Sequence, residues 1–160
     1  MLKQEIELND MREKLAILGE SLRTNLGELK RPFIIEFAGT PKSGKTSSLN
    51  AIAKFFRRHE IPVYIVNERA SICPISDKHH LFFNIWTGTS SLLQMLEALE
   101  KKASILILDR GIFDSLVWID FLSKWGSVTS DESKIIENFL LFDRWSSLID
   151  IVVALSVDPY

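Results

Sequence analysis

The sequence predicts an α/β domain in which a mainly parallel sheet of about four strands is covered by helices on both faces. Three observations predict this class. Short aliphatic runs, of the kind buried on both sides of a sheet, recur along the chain. Segments whose apolar residues recur at helical spacing alternate with them. A glycine-rich stretch at residues 39–46 joins the first run to the helical segment after it.

Residues 1–31 are predicted to form an amphipathic N-terminal helix, ahead of the α/β domain at 32–160. Apolar residues recur there at alternating spacings of three and four, a heptad stripe in which Asn25 fills the one polar position. The stripe consists of Leu8, Met11, Leu15, Leu18, Leu22 and Leu29. Because Gly19 and Gly27 weaken a free-standing helix, we expect the stripe to pack mainly on the chain's own core. Contact with a second chain is the alternative.

The remaining elements follow from the change of period after Pro32. Strands are predicted at residues 33–38, 61–67, 104–108 and 149–157. Helices are predicted at 43–58, 90–102, 112–125 and 131–147, and the last of these begins after the capping residue Thr129.

Composition excludes several classes of protein. The chain has 160 residues, 46% hydrophobic and 25% charged, which fits one globular domain. Cys73 is the sole cysteine, and the charged start of the chain is unlike a signal peptide, so we expect a cytoplasmic protein. No aliphatic run approaches the roughly 18 residues that span a bilayer. The net charge of −2 gives no field that attracts duplex nucleic acid.

The glycine-rich stretch is a complete phosphate-binding loop. It matches the pattern of Gly, four residues, Gly, Lys and Ser or Thr, and it lies between a predicted strand and a predicted helix. The loop consists of Gly39, Thr40, Pro41, Lys42, Ser43, Gly44, Lys45 and Thr46, followed by Ser47 in the helix. Its backbone N–H groups would cradle the phosphates of ATP, and Lys45 would bridge the β- and γ-phosphates. Thr46 would be a ligand of the accompanying Mg²⁺.

The third predicted strand ends in Asp109, which is the second expected ligand of Mg²⁺. The next residue separates classes of nucleotide-binding protein. Motor and transporter ATPases usually have a second carboxylate there to polarise water, whereas this chain has Arg110. The Asp-x-x-Gly turn of regulatory GTPases is also missing, because position 112 is Ile. A cation after the metal-binding Asp suits a site that must neutralise a transferring phosphoryl group.

Four segments together resemble the thymidylate-kinase and deoxynucleoside-kinase branch of phosphate-loop kinases, and its AAA-type nucleoside-kinase-like ATPase domains. They are the phosphate loop, Asn67-Glu68-Arg69-Ala70, residues 109–114 and residues 150–159. The resemblance implies a three-layer αβα P-loop NTPase fold with strand order 2-3-1-4. It also implies that Glu68 faces the acceptor hydroxyl and accepts its proton, with a plain surface ion pair between Glu68 and Arg69 as the alternative.

The resemblance gives two further residues a role. Arg110 would neutralise phosphate charge, and Asp114 would orient Arg110 or the acceptor, unless it is only a carboxylate at a helix N-terminus. Residues 81–86, rich in aromatic side chains, fall where such kinases bind the acceptor, although core packing is the alternative. Asp77, His79 and His80 are expected to be a solvated loop rather than a metal site.

Related kinases continue beyond the Asp-Pro that follows the fourth strand into an arginine-bearing lid, whereas this sequence ends at Tyr160. We therefore expect either a fragment of a longer protein or nucleotide binding without efficient transfer. The function predicted first is a Mg-ATP-dependent kinase that phosphorylates a nucleoside, a nucleotide or a similar small acceptor. The alternatives are a nucleotide-binding regulatory module acting through the N-terminal helix, and an ATPase domain of a larger protein.

Overall fold

A computed structural model describes residues 2–156 of the chain, with side chains described from Glu7 onward. Its elements are, in order, α1 (Leu2–Gly27), β1 (Phe33–Gly39), α2 (Lys45–Arg58), β2 (Val63–Val66), a 3₁₀ turn (Ala70–Ile72), α3 (Leu81–Ala98), β3 (Ile105–Asp109), α4 (Ile112–Lys124), α5 (Ser130–Leu140), α6 (Asp143–Ser146) and β4 (Ile151–Leu155). Within residues 2–156, every helix is too short or too polar to cross a membrane.

The four strands form one parallel sheet in the order β2-β3-β1-β4. This order confirms the predicted fold class. The central pair is in register from Phe33 opposite Ile105 to Phe37 opposite Asp109, so β1 and β3 end side by side. Asp150 fixes the start of β4, because its carboxylate accepts the Ile34 N–H at 2.8 Å and pairs with both terminal nitrogens of Arg31.

Each face of the sheet carries its own apolar core. On one face α2 and the end of α1 cover Ile35, Phe37 and Ile107. On the other face α3, α4 and α5 cover Ile34, Leu106 and neighbouring residues. The alternation follows from the two-residue period of a strand, and it produces the three layers that the sequence predicts.

Two of the predicted helices differ most from the observed ones. Helix α3 begins at Leu81, nine residues before the predicted start, because the His80 ring accepts the Phe82 N–H and caps the helix there. The segment predicted as one helix at 131–147 is two, α5 and α6. Phe142 adopts an extended conformation between them, with φ of −57° and ψ of 122°, and its ring packs against Trp145. Of the predicted fourth strand, Val157 lies outside the described residues, as do Asp158 and Pro159.

The heptad stripe of α1 does not pack as predicted. Of the stripe, Leu22 is half-buried against the core that α2 covers, beside Leu26, which is buried there but is not a member of the stripe. The other five members of the stripe are exposed: Leu8, Met11, Leu15, Leu18 and Leu29. The expectation that the stripe packs mainly on the chain's own core is therefore wrong. The reason is geometric, because among the residues from Glu7 onward it is the last two turns of α1 that lie over the sheet and α2.

Candidate functional site

The candidate site lies at the carboxyl edge of the sheet. Strands β1, β2 and β3 are parallel and adjacent, so the segments that follow them meet at this edge. The phosphate loop follows β1, Glu68 follows β2, and Arg110 follows β3. Ligands of open α/β sheets bind at this edge.

The phosphate loop turns sharply between β1 and α2. Gly39 has φ of 136°, and a Cβ at this position would collide with the carbonyl oxygen of Leu155 in β4. Gly44 caps α2 with φ of 86°, a left-handed conformation that favours glycine. The two motif glycines are therefore required for different reasons, Gly39 for the close approach of β4 and Gly44 for the backbone conformation.

Lys45 folds back into its own loop. Its Nζ donates hydrogen bonds to the carbonyl oxygens of Gly39 at 2.9 Å and Thr40 at 2.7 Å. The residue is buried, and burial lowers the pKa of the amine, as does the nearby positive charge of Arg110. The two carbonyl bonds hold the ammonium group against the first residues of the loop.

The loop presents unpaired donors. The N-cap residue of α2 is Gly44, which has no side chain to cap the helix, so the N–H groups of the first turn can bind an anion. The Ser43 Oγ is buried and has no hydrogen-bond partner among the described residues. Thr46 and Ser47 are exposed at the start of the helix. This donor set fits phosphate groups, because a buried hydroxyl without a partner is costly unless a ligand binds it.

Arg110 projects into the site from the turn after β3. Its backbone has φ of 64° and its N–H donates to the Phe37 carbonyl, which ties this turn to the end of β1. The guanidinium is largely buried. Its Nη1 donates to Asp114 Oδ2 at 2.8 Å, whereas Glu68 Oε1 lies 3.1 Å from Nε as an ion pair without hydrogen-bond geometry. Burial alone would lower the pKa of Arg110, but the two carboxylates raise it above its ordinary value.

Asp114 connects Arg110 to the phosphate loop. One carboxylate oxygen accepts the Gly39 N–H at 2.9 Å, and the other accepts from the Arg110 guanidinium at 2.8 Å. Asp114 lies in the first turn of α4 and is buried. Of the roles that the sequence leaves open for it, the structure favours the orientation of Arg110.

The two other predicted carboxylates differ in their contacts. Glu68 is half-exposed and pairs with Arg110, not with Arg69 as in the alternative reading. Asp109 is half-buried at the end of β3 and forms no hydrogen bond or ion pair with any described side chain. Among the described residues no three His, Cys, Asp or Glu side chains cluster as a metal site. A metal ion at Asp109 and Thr46 therefore needs oxygen ligands from a bound phosphate or water.

Sequence reasoning missed Glu36, a fully buried carboxylate in the middle of β1. Its Oε1 accepts the Asp114 N–H at 2.7 Å, and Oε2 accepts the Phe113 N–H at 3.3 Å, so it caps the N-terminus of α4. Burial raises its pKa to about 7, against the opposing effect of these hydrogen bonds. The signal was available in the sequence, because Glu36 is the one charged residue in the run Phe33-Ile34-Ile35-Glu36-Phe37-Ala38.

A small cavity of about 160 Å³ opens beside Arg110. It lies between the 3₁₀ turn, α3 and α4, and its lining includes Glu68, Arg69, Phe83, Asn84, Arg110, Asp114 and Trp118. Of the aromatic segment at 81–86, only Phe83 and Asn84 line this cavity, whereas Phe82 is exposed. The cavity therefore borders part of the aromatic segment, but it takes most of its lining from other segments.

The loop at 77–80 makes local hydrogen bonds. Asp77 accepts the His79 N–H at 2.9 Å, and His80 caps α3.

The chain matches no protein-family model and no curated protein. Among solved structures it is similar to a chain from Silicibacter sp. TM1040 that is provisionally described as a fructose transport system kinase. The two share 11% identical residues with a TM-score of 0.44, over 87% of this chain and 98% of the other. A likeness of this degree carries no functional argument.

Proposed function

We propose that this protein binds Mg-ATP in its phosphate loop and transfers the γ-phosphate to a small acceptor, a nucleoside, a nucleotide or a similar molecule. One observation carries the proposal. Asp114 is bonded both to the phosphate loop at Gly39 and to Arg110, and Arg110 in turn pairs with Glu68 beside the cavity. The donors for a phosphate and a candidate proton acceptor thus belong to one connected set of residues.

At the nucleotide end, the residues present fit a triphosphate. The free N–H groups of α2, the Ser43 hydroxyl and the Lys45 ammonium would hold its phosphates. Thr46 and Asp109 would hold Mg²⁺, which when bound neutralises the charge of the β- and γ-phosphates. Arg110 would place a further positive charge beside the transferring group.

At the acceptor end, Glu68 is the candidate general base. It is half-exposed at the mouth of the cavity, so an acceptor hydroxyl can reach it. Its ion pair with Arg110 connects the carboxylate to the residues that would bind the phosphates. Removal of a general base typically lowers a rate by about 10²- to 10⁴-fold.

The test separates binding from transfer. Calorimetry with Mg-ATP is expected to show binding that Lys45→Ala weakens strongly, whereas Lys54→Ala, which removes an exposed lysine from the same helix outside the loop, is the matched control. Transfer is then measured with labelled ATP and a panel of nucleosides and nucleotides. Glu68→Gln is expected to lower transfer about 10²- to 10⁴-fold with little change in ATP affinity. Equal ATP affinity in wild type and Lys45→Ala would contradict the proposal that the phosphate loop binds ATP.

A second candidate is a nucleotide-binding regulatory module, and the exposed apolar stripe of α1 favours it. In this case ATP is bound without transfer to any acceptor, and occupancy of the loop changes a contact made through α1. Normal ATP binding with no labelled product for any acceptor would support this candidate over the kinase.

A further inference from the structure

From Glu7 onward, the contacts that anchor helix α1 to the rest of the chain lie at its C-terminal end. Leu26 is buried in the core, and Gly19 lies so close to the His59 ring that a Cβ would collide with it. Arg23 reaches Glu60, just after α2, at 3.1 Å. By contrast, every residue from Glu7 to Leu18 is exposed. At 1.5 Å per residue this length of helix extends about 18 Å without a partner among the described residues.

The exposed segment of α1, residues 7–18, carries part of the heptad stripe, which we call the α1 seam. Leu8, Met11, Leu15 and Leu18 follow the spacing three, four, three, which is that of the a and d positions of a heptad, and Leu22 continues it into the anchored part. Charged residues flank the seam. Glu7 and Lys14 stand at g positions, and Arg12 stands at an e position. Four half-exposed apolar side chains in one line on a helix are unusual for a surface without a partner.

We propose that the α1 seam binds the same seam of a second copy of this chain, with the two helices parallel. The charges favour this occupant and this direction. In a parallel pair a g residue faces the e residue five positions later in the partner, so Glu7 faces Arg12, and the two-fold axis makes this pair twice. The anchored ends of both helices, and both sheets, then lie at the same end of the dimer.

The antiparallel arrangement brings like charges together. In an antiparallel pair, e residues face e residues and g residues face g residues. When the two seams overlap completely, Arg12 of one chain therefore lies near Arg12 of the second copy, and Lys14 lies near Lys14 of the second copy. Like charges at flanking positions destabilise a pair of helices, so the flanks select the parallel direction.

Analytical ultracentrifugation of the full chain from about 5 to 500 μM tests the seam. We expect the mass to rise with concentration from monomer towards dimer, and Leu15→Glu to raise the dissociation constant by more than about tenfold, because it buries a charge in the seam. Ile17→Glu makes the same change two residues away, on an exposed position outside the seam, and should leave the constant within about twofold. A wild type that stays monomeric at 500 μM, or equal effects of the two variants, would overturn the proposal.

A charge exchange tests the direction without altering the apolar seam. Arg12→Glu alone and Glu7→Arg alone should each weaken the dimer, and the double variant Glu7→Arg with Arg12→Glu should restore it. No restoration would exclude the parallel pairing of these two residues. Both sites are exposed, so loss of folding is not expected, and circular dichroism checks it.

Cross-linking gives an independent measure of the direction. With Cys73→Ser as background, Leu8→Cys should oxidise readily to a covalent dimer, because in a parallel pair the two introduced cysteines are opposite each other. In the centred antiparallel pair they would lie about 15 Å apart, by the helical rise, too far for a disulfide. Dimerisation in the centrifuge without cross-linking would overturn the parallel arrangement.

Discussion

Replacement of Glu36 by Gln tests whether burial or local hydrogen bonding controls this carboxyl group. Two effects oppose each other at Glu36. Burial disfavours the charged form, whereas two N–H donors at the start of α4 favour it. The first effect is larger, since the pKa rises from 4.5 to about 7. Asp114 adds to the rise through its negative charge.

The shift translates into a pH-dependent stability. A carboxyl with a raised pKa in the folded state keeps its proton after the unfolded chain has lost it. Its contribution to stability is therefore fully present at pH values below the pKa of the unfolded chain, and it is lost as the pH rises towards 7. At 1.36 kcal/mol per pKa unit, the whole effect is about 3 kcal/mol. Between pH 5 and pH 8 the expected loss is about 2.5 kcal/mol.

Urea unfolding of wild type and Glu36→Gln at pH 5, 6, 7 and 8 measures this loss. The amide does not titrate, and its oxygen can still accept the Asp114 N–H, so any fixed cost of the substitution is the same at every pH. The free energy of unfolding of wild type minus that of the variant should therefore fall by about 2.5 kcal/mol across the range.

Glu132→Gln is the matched control. Hydrogen bonds from Thr129 lower the pKa of Glu132, so its contribution is complete above the ordinary value of 4.5 and changes only at more acidic pH. Its difference from wild type should be flat from pH 5 to 8. A flat difference for Glu36→Gln as well would refute the reasoning, because it would mean that the helix N-terminus outweighs the cost of burial.

Two further substitutions test the support of the site. Gly111→Ala should lower the free energy of unfolding by about 1–3 kcal/mol, because the new Cβ would collide with the buried carboxyl of Glu36. Gly27→Ala is its control and should change the free energy of unfolding by less than about 0.5 kcal/mol, because a Cβ there meets open space. Asp114→Asn should lower it by about 2–3 kcal/mol, because the guanidinium loses a charged acceptor. Asp120→Asn, which breaks an exposed ion pair of the same helix, should cost less than about 1 kcal/mol. Urea unfolding at pH 7 checks all four.

Local features of the site could be predicted from the sequence, but contacts between distant segments could not. The phosphate loop is one continuous segment, so its glycines and Lys45 were found by their spacing. Asp114 was left open between several roles, because its bond to Gly39 joins residues 75 positions apart. The position of Glu36 under α4 depends in the same way on how the helix crosses the sheet. A lone carboxylate in an apolar strand predicts that it has a buried hydrogen-bond partner, but the sequence does not identify which residues donate to it.

The N-terminal helix shows a different limit. Heptad spacing is a property of one helix, and it predicts an apolar face without saying what covers that face. The prediction for α1 failed because it assigned the stripe mainly to the chain's own core, whereas Leu22 is the one member that packs against that core, next to Leu26, which lies outside the stripe. The glycines were read as a weakness of the helix, but Gly19 instead permits the close approach of His59 that anchors it.

Backbone conformation supports the choice of site independently of its charges. Among the described residues three that are not glycine have φ in the left-handed region, namely Lys42, Glu60 and Arg110. Glu60 follows the end of α2, where this conformation is common. The other two lie in the phosphate loop and in the turn after β3, so the remaining strain is confined to the site. A left-handed residue with a side chain costs about 1–2 kcal/mol. Glycine would remove that cost at position 110 but would also remove the guanidinium that joins Glu68 to Asp114, so the strained arginine is best explained by a requirement for its charge.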